Sequence, residues 1–190
     1  MPRTKGAQQN ESVTFRIESG CLGELRREAE QKQISINTLV NQILSQHIKW
    51  YSQATNAGFT LVKKNLLVNM MDKISEEELV KITNQIAKEE LRDTVLLLRG
   101  KYNLSSALDV FDNWAKAAGH SYHRNIAGNM HSYLIQHNLG KKYSLILSEG
   151  YRFLFEELDM PRVEFNMTDN TLSFDIDLAK TQADVKFQKL

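Results

Sequence analysis

The sequence predicts an α+β protein in two parts: a strand-helix-helix unit over residues 11–57, then a helical and antiparallel-sheet domain of ββαββ order over residues 58–178. Three observations carry this reading. Residues 12–17 alternate strictly, with Val13, Phe15 and Ile17 apolar and Ser12, Thr14 and Arg16 polar, the period of a strand with one wet face. Two amphipathic helical patterns follow, broken at Gln33-Ile34-Ser35. Further on, two pairs of alternating runs flank turn sequences, with a long helical pattern between the pairs.

The first element is the strand. The first helix opens at Ser19, read as its N-cap, and Leu22, Leu25 and Ala29 repeat at helical spacing. Glu24, Arg26, Arg27, Glu28 and Glu30 fall on the opposite side. Ser35 is the second N-cap, and Leu39, Val40, Ile43, Leu44 and Ile48 share one wide apolar face. This helix is expected to run past Trp50 and Tyr51 towards Asn56 and Gly58, where the boundary is drawn with no flexible linker. Trp50 and Tyr51 are read as packing residues at that junction.

Strand, helix, turn and helix in this succession, with polar side chains on the outer face of the strand, resembles the ribbon-helix-helix family of DNA-binding regulators. The resemblance covers residues 11–55 and implies an obligate homodimer, or a higher even-numbered oligomer. Physical argument agrees: a lone strand leaves backbone groups unpaired and its apolar face uncovered, and so small a core is marginal. A second copy pairs the strands antiparallel across a twofold axis. The partner implied is double-stranded DNA, with the two-stranded ribbon in its major groove. Ser12, Thr14 and Arg16 would then read bases, Arg16 being the best candidate for a guanine contact. The Ser35 hydroxyl and the backbone N–H groups of Ile36 and Asn37 would hold a phosphate.

Residues 1–10 are polar and aperiodic and read as a flexible arm, in which Arg3 and Lys5 are weaker candidates for DNA contact. The formal net charge is +1, and residues 1–50 hold seven Lys/Arg against five acids, which argues against a purely electrostatic DNA coat. Cys21 is the single cysteine, so an internal disulfide is excluded and a reducing cytoplasm is expected. A redox role at Cys21 is outweighed by simple filling of a helix start. No apolar run is long enough to cross a bilayer, and no membrane partner is expected.

In the second part, residues 59–74 are apolar-rich and undecided between strand and helix. Ser75 through Glu78 form a capping box, opening a helix whose stripe of Leu79, Ile82, Ile86, Leu91, Val95 and Leu98 ends at Gly100. Asn103 opens the next helix, bearing Leu108, Phe111, Trp114 and Ala118 and ending at Gly119. Residues 122–127 and 130–137 flank Gly128-Asn129, suited to a II′ hairpin. Asn138 is read as the cap of a helix reaching Leu158, with Tyr143, Ile146, Leu147, Leu154 and Leu158 inward and Pro161 as its stop. Val163, Phe165, Met167 and Leu172, Phe174, Ile176 form a second hairpin around residues 168–171, and residues 179–190 read as a polar tail.

Chemistry is sparse. Phosphate-loop, dinucleotide, nucleophile-elbow and zinc-protease motifs are absent, so no catalytic residue, metal or cofactor is assigned. His120, His123, His131 and His137 are the one tempting cluster. His131 and His137 lie roughly 20 Å apart along a strand, too far to share an ion. His123 could meet His131 or Tyr133 across the hairpin. The aromatic set Trp114, Tyr122, Tyr133, Tyr143, Tyr151, Phe153 and Phe155 reads first as core, and second as the lining of a small-molecule effector pocket. The expected function is a dimeric, prokaryotic-type transcriptional regulator whose C-terminal domain serves oligomerisation, sensing or partner contact. The alternatives are an antitoxin of a toxin–antitoxin pair, or an enzyme that uses the N-terminal unit only to dimerise.

Overall fold

The computed structural model describes residues 11–160 and 162–179. The expected arm with Arg3 and Lys5, the helix stop at Pro161 and the tail from residue 180 lie outside the described residues. The chain divides into two units between Ser45 and Gln46, twelve residues before the boundary drawn from sequence.

In the N-terminal unit, helix α1 spans Ser19–Gln31 and α2 spans Ile36–Gln46, the last residue of α2 falling across the division. In the single chain residues 11–18 belong to no strand, where the sequence expects one at 12–17. The reason is physical: a strand exists by pairing, and the single sheet among the described residues is built elsewhere in the chain. Val13, Phe15 and Ile17 are accordingly exposed, at 67%, 63% and 42%. The residue before α1 is Glu18, which makes no side-chain cap, so Ser19 is the first helical residue rather than the N-cap. Gln33 takes a left-handed φ of 54° and turns the chain. Ser35 does cap α2, its Oγ accepting from the Thr38 backbone N–H at 3.0 Å. Ala29 and Leu39 are the buried apolar residues of this unit, while Ile43 and Leu44 remain exposed.

The C-terminal unit opens with a π turn at His47–Tyr51 and a short helix α3, Ser52–Ala54. Trp50 is buried there and packs on Phe59, ring centroids 4.7 Å apart, whereas Tyr51 is exposed. The undecided stretch resolves into a non-helical segment and then α4, Lys64–Asp72. Lys142 Nζ donates to the carbonyls of Met71, Asp72 and Ile74 at 3.0, 3.2 and 2.6 Å, satisfying groups that a helix end leaves free. Helix α5, Glu76–Ile86, starts on the expected cap, with the Glu78 N–H donating to Ser75 Oγ at 3.1 Å. A π turn at Ala87–Leu91 joins it to α6, Arg92–Arg99, which ends at Gly100 with φ +70°. The expected stripe is already broken within α5. Leu79 and Val95 are buried, but Ile82 and Ile86 are exposed.

Helix α7, Leu104–Ala117, is capped by Asn103, whose side chain accepts from Ser106 N–H at 2.9 Å. Strands β1, Ser121–Ala127, and β2, Met130–Gln136, are joined at Gly128, whose φ of +64° fits the first central position of a II′ turn. Helix α8, Lys141–Glu157, is preceded by Gly140 and not capped by Asn138, which sits in the left-handed region at φ +57°. Strands β3, Phe165–Met167, and β4, Thr171–Asp177, complete an antiparallel sheet of order β1-β2-β4-β3. The ββαββ order and the α+β class therefore hold for this unit. In β2 and β4 alternate side chains turn inward, Tyr133 and Ile135 beside Phe174 and Leu172. Tyr143, Leu147, Tyr151, Leu154 and Phe155 of α8 belong to the same core, and the Phe174 ring lies 4.8 Å from Tyr133 and 4.7 Å from Tyr151.

Candidate functional site

Three places in the molecule concentrate chemistry. The first is the N-terminal edge. Ser12, Thr14 and Arg16 are exposed and alternate in sequence with the exposed apolar row. At the start of α2, the Ser35 hydroxyl also meets the Thr38 hydroxyl at 2.8 Å, and Asn37 is exposed while Ile36 is half-buried. The Ser35 cap holds the helix start in the geometry that presents N–H groups to an anion. Cys21 is an exposed free thiol.

The second place is a buried polar core in the C-terminal unit. His137 Nδ1 accepts from the Leu139 backbone N–H at 3.0 Å, so its proton is on Nε2. Nε2 therefore donates to Ser144 Oγ at 2.8 Å, and Ser144 donates in turn to the Thr168 carbonyl at 2.6 Å. A nucleophile–base pair needs the opposite direction, serine donating to histidine. With Ser144 and His137 at 0% and 1% exposure, the pair ties α8 to the β3–β4 turn and does not constitute an activated hydroxyl. His120 Nε2 meets the Tyr143 hydroxyl at 2.9 Å. Burial, followed by the nearby Lys64 charge, lowers the pKa of both His120 and His137 to about 4, so both are neutral at physiological pH.

Close by, Asp112 at the centre of α7 is buried, and desolvation raises its pKa. Arg124 Nη1 approaches it at 4.0 Å, while Arg124 Nη2 lies 2.9 Å from His131 Nδ1 and the guanidinium sits over the Tyr133 ring. The Tyr122 hydroxyl interacts with the Asp112 carboxyl, short of good hydrogen-bond geometry. Burial pushes Tyr133 up to about 12.

These positions correct the expectations drawn from sequence. Across the hairpin His123 faces Leu134 and His131 faces Ile126, so His123 meets neither His131 nor Tyr133. His120, His131 and His137 are buried rather than superficial. Among the described residues no three His, Cys, Asp or Glu side chains gather to hold a metal, and no helix is long and apolar enough to cross a membrane.

The third place answers to the second reading of the aromatic set, although most of its lining was not foreseen from sequence. A cavity of about 310 Å³ opens between residues of α5, the π turn at Ala87–Leu91, α6, α7, α8 and the 57–59 segment. Of the aromatic set expected to line a pocket, Trp114 does so; Tyr133, Tyr143, Tyr151 and Phe155 are core instead. The remaining lining comes from Phe59, Leu91 and Phe111 among others. The signal available in sequence was Gly150, a glycine inside a helix otherwise rich in good helix formers.

Comparison with known proteins adds no family: no family profile matches the chain, and no curated protein and no solved structure is significantly similar to it.

Proposed function

We propose that this chain is a dimeric, sequence-specific DNA-binding transcriptional regulator of ribbon-helix-helix type, working in the cytoplasm. Residues 12–17 of two copies pair as a β-ribbon, and the C-terminal unit serves sensing, oligomerisation or partner contact. One observation supports this reading above the rest. Val13, Phe15 and Ile17 are solvent-exposed in the single chain and alternate with polar residues, directly before two helices of which the second is capped by Ser35. Such a row is stable only when covered, and a second copy offers a matching row and the missing backbone partners. Pairing turns Val13, Phe15 and Ile17 inward and leaves Ser12, Thr14 and Arg16 facing the major groove. The neutral, buried Ser144–His137 pair supports a non-enzymatic reading of the C-terminal unit. The packed core of that unit favours a regulator over an antitoxin, since the toxin-binding tails of such antitoxins are short and disordered.

The test is in vitro selection of bound duplexes from a random library, followed by fluorescence anisotropy on specific and scrambled DNA. Selected sites should be two symmetric half-sites. Arg16→Ala should flatten preference at one base position in each half, a discrimination of about 1–3 kcal/mol. Absence of enrichment, or an Arg16→Ala protein with unchanged affinity and preference, overturns the reading.

A further inference from the structure

We infer that the C-terminal cavity is a binding site for a small aromatic molecule carrying a hydrogen-bond donor and no negative charge. The volume, about 310 Å³, is at the lower end of the range of small-ligand sites. The space is open to solvent on one side, and its apolar walls hold water against surfaces that a guest would cover. Its walls are largely aromatic and aliphatic, with Phe59, Phe111, Trp114 and Ile146 presenting flat or branched surfaces.

Two features of the chain shape the lining at a cost to local stability. Gly150 lies within α8 and lines the cavity, and a Cβ built on it would meet nothing within 4 Å. No neighbour requires glycine there, and its backbone does not adopt a positive φ, so alanine would fit and would strengthen the helix. The second feature is the π turn at Ala87–Leu91, which interrupts the α5–α6 helix and delivers Ala87, Glu90 and Leu91 to the lining. Such one-turn bulges are rare and concentrate at functional sites.

The polar groups then select the guest. Glu90 is the ionisable residue among the lining, and no cation accompanies it there. The Thr83 hydroxyl donates its proton to the Leu79 carbonyl at 2.8 Å, leaving it able to accept. Together the lining offers acceptors and a negative charge. A ligand with an aromatic body and an N–H, O–H or ammonium group matches it, and an anion of the same shape does not. This binding claim rests on the cavity and is independent of DNA recognition, so either can fail without the other.

The test uses the full chain and two probes with a shared skeleton: N-phenyl-1-naphthylamine, neutral with one N–H, and its sulfonated relative 8-anilinonaphthalene-1-sulfonate. The chain has two tryptophans; Trp114 lines the cavity and Trp50 packs on the lining residue Phe59, so energy transfer to the probe reports occupancy. The neutral amine should bind saturably, one per chain, and at least about tenfold more tightly than the sulfonate. Gly150→Ala should bind like the parent. Gly150→Leu should fill the space, keep the helix and lose the amine by about tenfold or more. Glu90→Lys, at an exposed position, should keep the fold and raise affinity for the sulfonate, so it decides the matter even if the leucine variant does not fold. Non-saturable binding, equal binding of both probes by the parent and Glu90→Lys, or full amine affinity in a folded Gly150→Leu protein would overturn the inference.

Discussion

Phe15 in the N-terminal unit is 63% exposed and Phe174 in the C-terminal unit is 2% exposed, although both stand in alternating runs that read alike. Val13-Phe15-Ile17 and Leu172-Phe174-Ile176 even carry nearly the same side chains at the same spacing. The difference lies in what surrounds them. Strand β4 is flanked in its own chain by β2 and β3, and the aromatic rings of Tyr133, Tyr151 and Phe155 close over Phe174. Residues 12–17 have no such neighbours among the described residues. An alternating run states that one face wants cover; the rest of the chain decides whether that cover comes from within.

The largest effect follows from Phe15. Phe15→Asp would place two charges on the apolar row that the proposed dimer would bury, at a cost of several kcal/mol each. Sedimentation should show a monomer, DNA binding should vanish, and the unfolding transition of the C-terminal core should survive. A Phe15→Asp dimer would break the comparison, because the exposed row would then not be an interface.

Next come paired truncations of buried leucines, Leu39 at 1% and Leu154 at 0% exposure. Each leucine-to-alanine change should cost about 2–5 kcal/mol. Urea unfolding at widely separated protein concentrations distinguishes them. The Leu154→Ala midpoint should be independent of concentration, whereas Leu39→Ala should act on a transition that shifts with concentration, as dimer linkage requires. Concentration-independent behaviour of both would place the N-terminal unit among self-sufficient folds.

The pH response should belong mainly to the C-terminal unit. His120 and His137 titrate near 4 when folded and near 6.5 when unfolded, so above pH 6.5 neither contributes. Between pH 6.5 and 4 the unfolded chain takes up protons that the folded chain refuses, and stability falls, by up to about 3 kcal/mol for each imidazole. Asp112, whose pKa is raised by burial, acts in the opposite sense, favouring the fold as it protonates. Thermal melts across this window should therefore show an acid loss that His120→Leu reduces and Asp112→Asn enlarges. A profile flat down to pH 4.5 in the parent protein would contradict the neutral, buried state of the histidines.

Much of the C-terminal unit was legible because its signals are local. Ser75 and Asn103 each meet a backbone N–H three residues on, and Gly100, Gly119 and Gly128 each adopt the positive φ that their positions in the sequence suggested. What was not legible depends on tertiary context. The π turn at Ala87–Leu91 carries no sequence mark, and Ile82 and Ile86 are exposed although they share the periodicity of buried Leu79. The parity of His123 and His131 could be counted, but their partners depend on a register fixed by the two-residue turn, which set Arg124 rather than His123 toward His131. The cavity is a property of six segments together, and among them Gly150 alone left a trace in the sequence.

The smallest effect offers the cleanest contrast, because it places the same device in both units. Ser35 caps α2 with a bond of 3.0 Å from Thr38 N–H, and Ser75 caps α5 with one of 3.1 Å from Glu78 N–H. Both are exposed, so alanine should cost each helix a similar amount, about 1 kcal/mol. The consequences should nevertheless differ. Ser75→Ala should lower the C-terminal transition slightly and leave DNA affinity untouched, since α5 lies outside the proposed DNA-binding unit. Ser35→Ala frays the helix start whose Ile36 and Asn37 N–H groups would hold a phosphate, so it should weaken specific and scrambled duplexes by the same factor. Arg16 would still read its base, and preference should persist while affinity drops. Anisotropy titrations of the two variants at matched salt make the comparison direct. If Ser75→Ala weakens DNA binding as much as Ser35→Ala does, the start of α2 has no special role in holding the backbone.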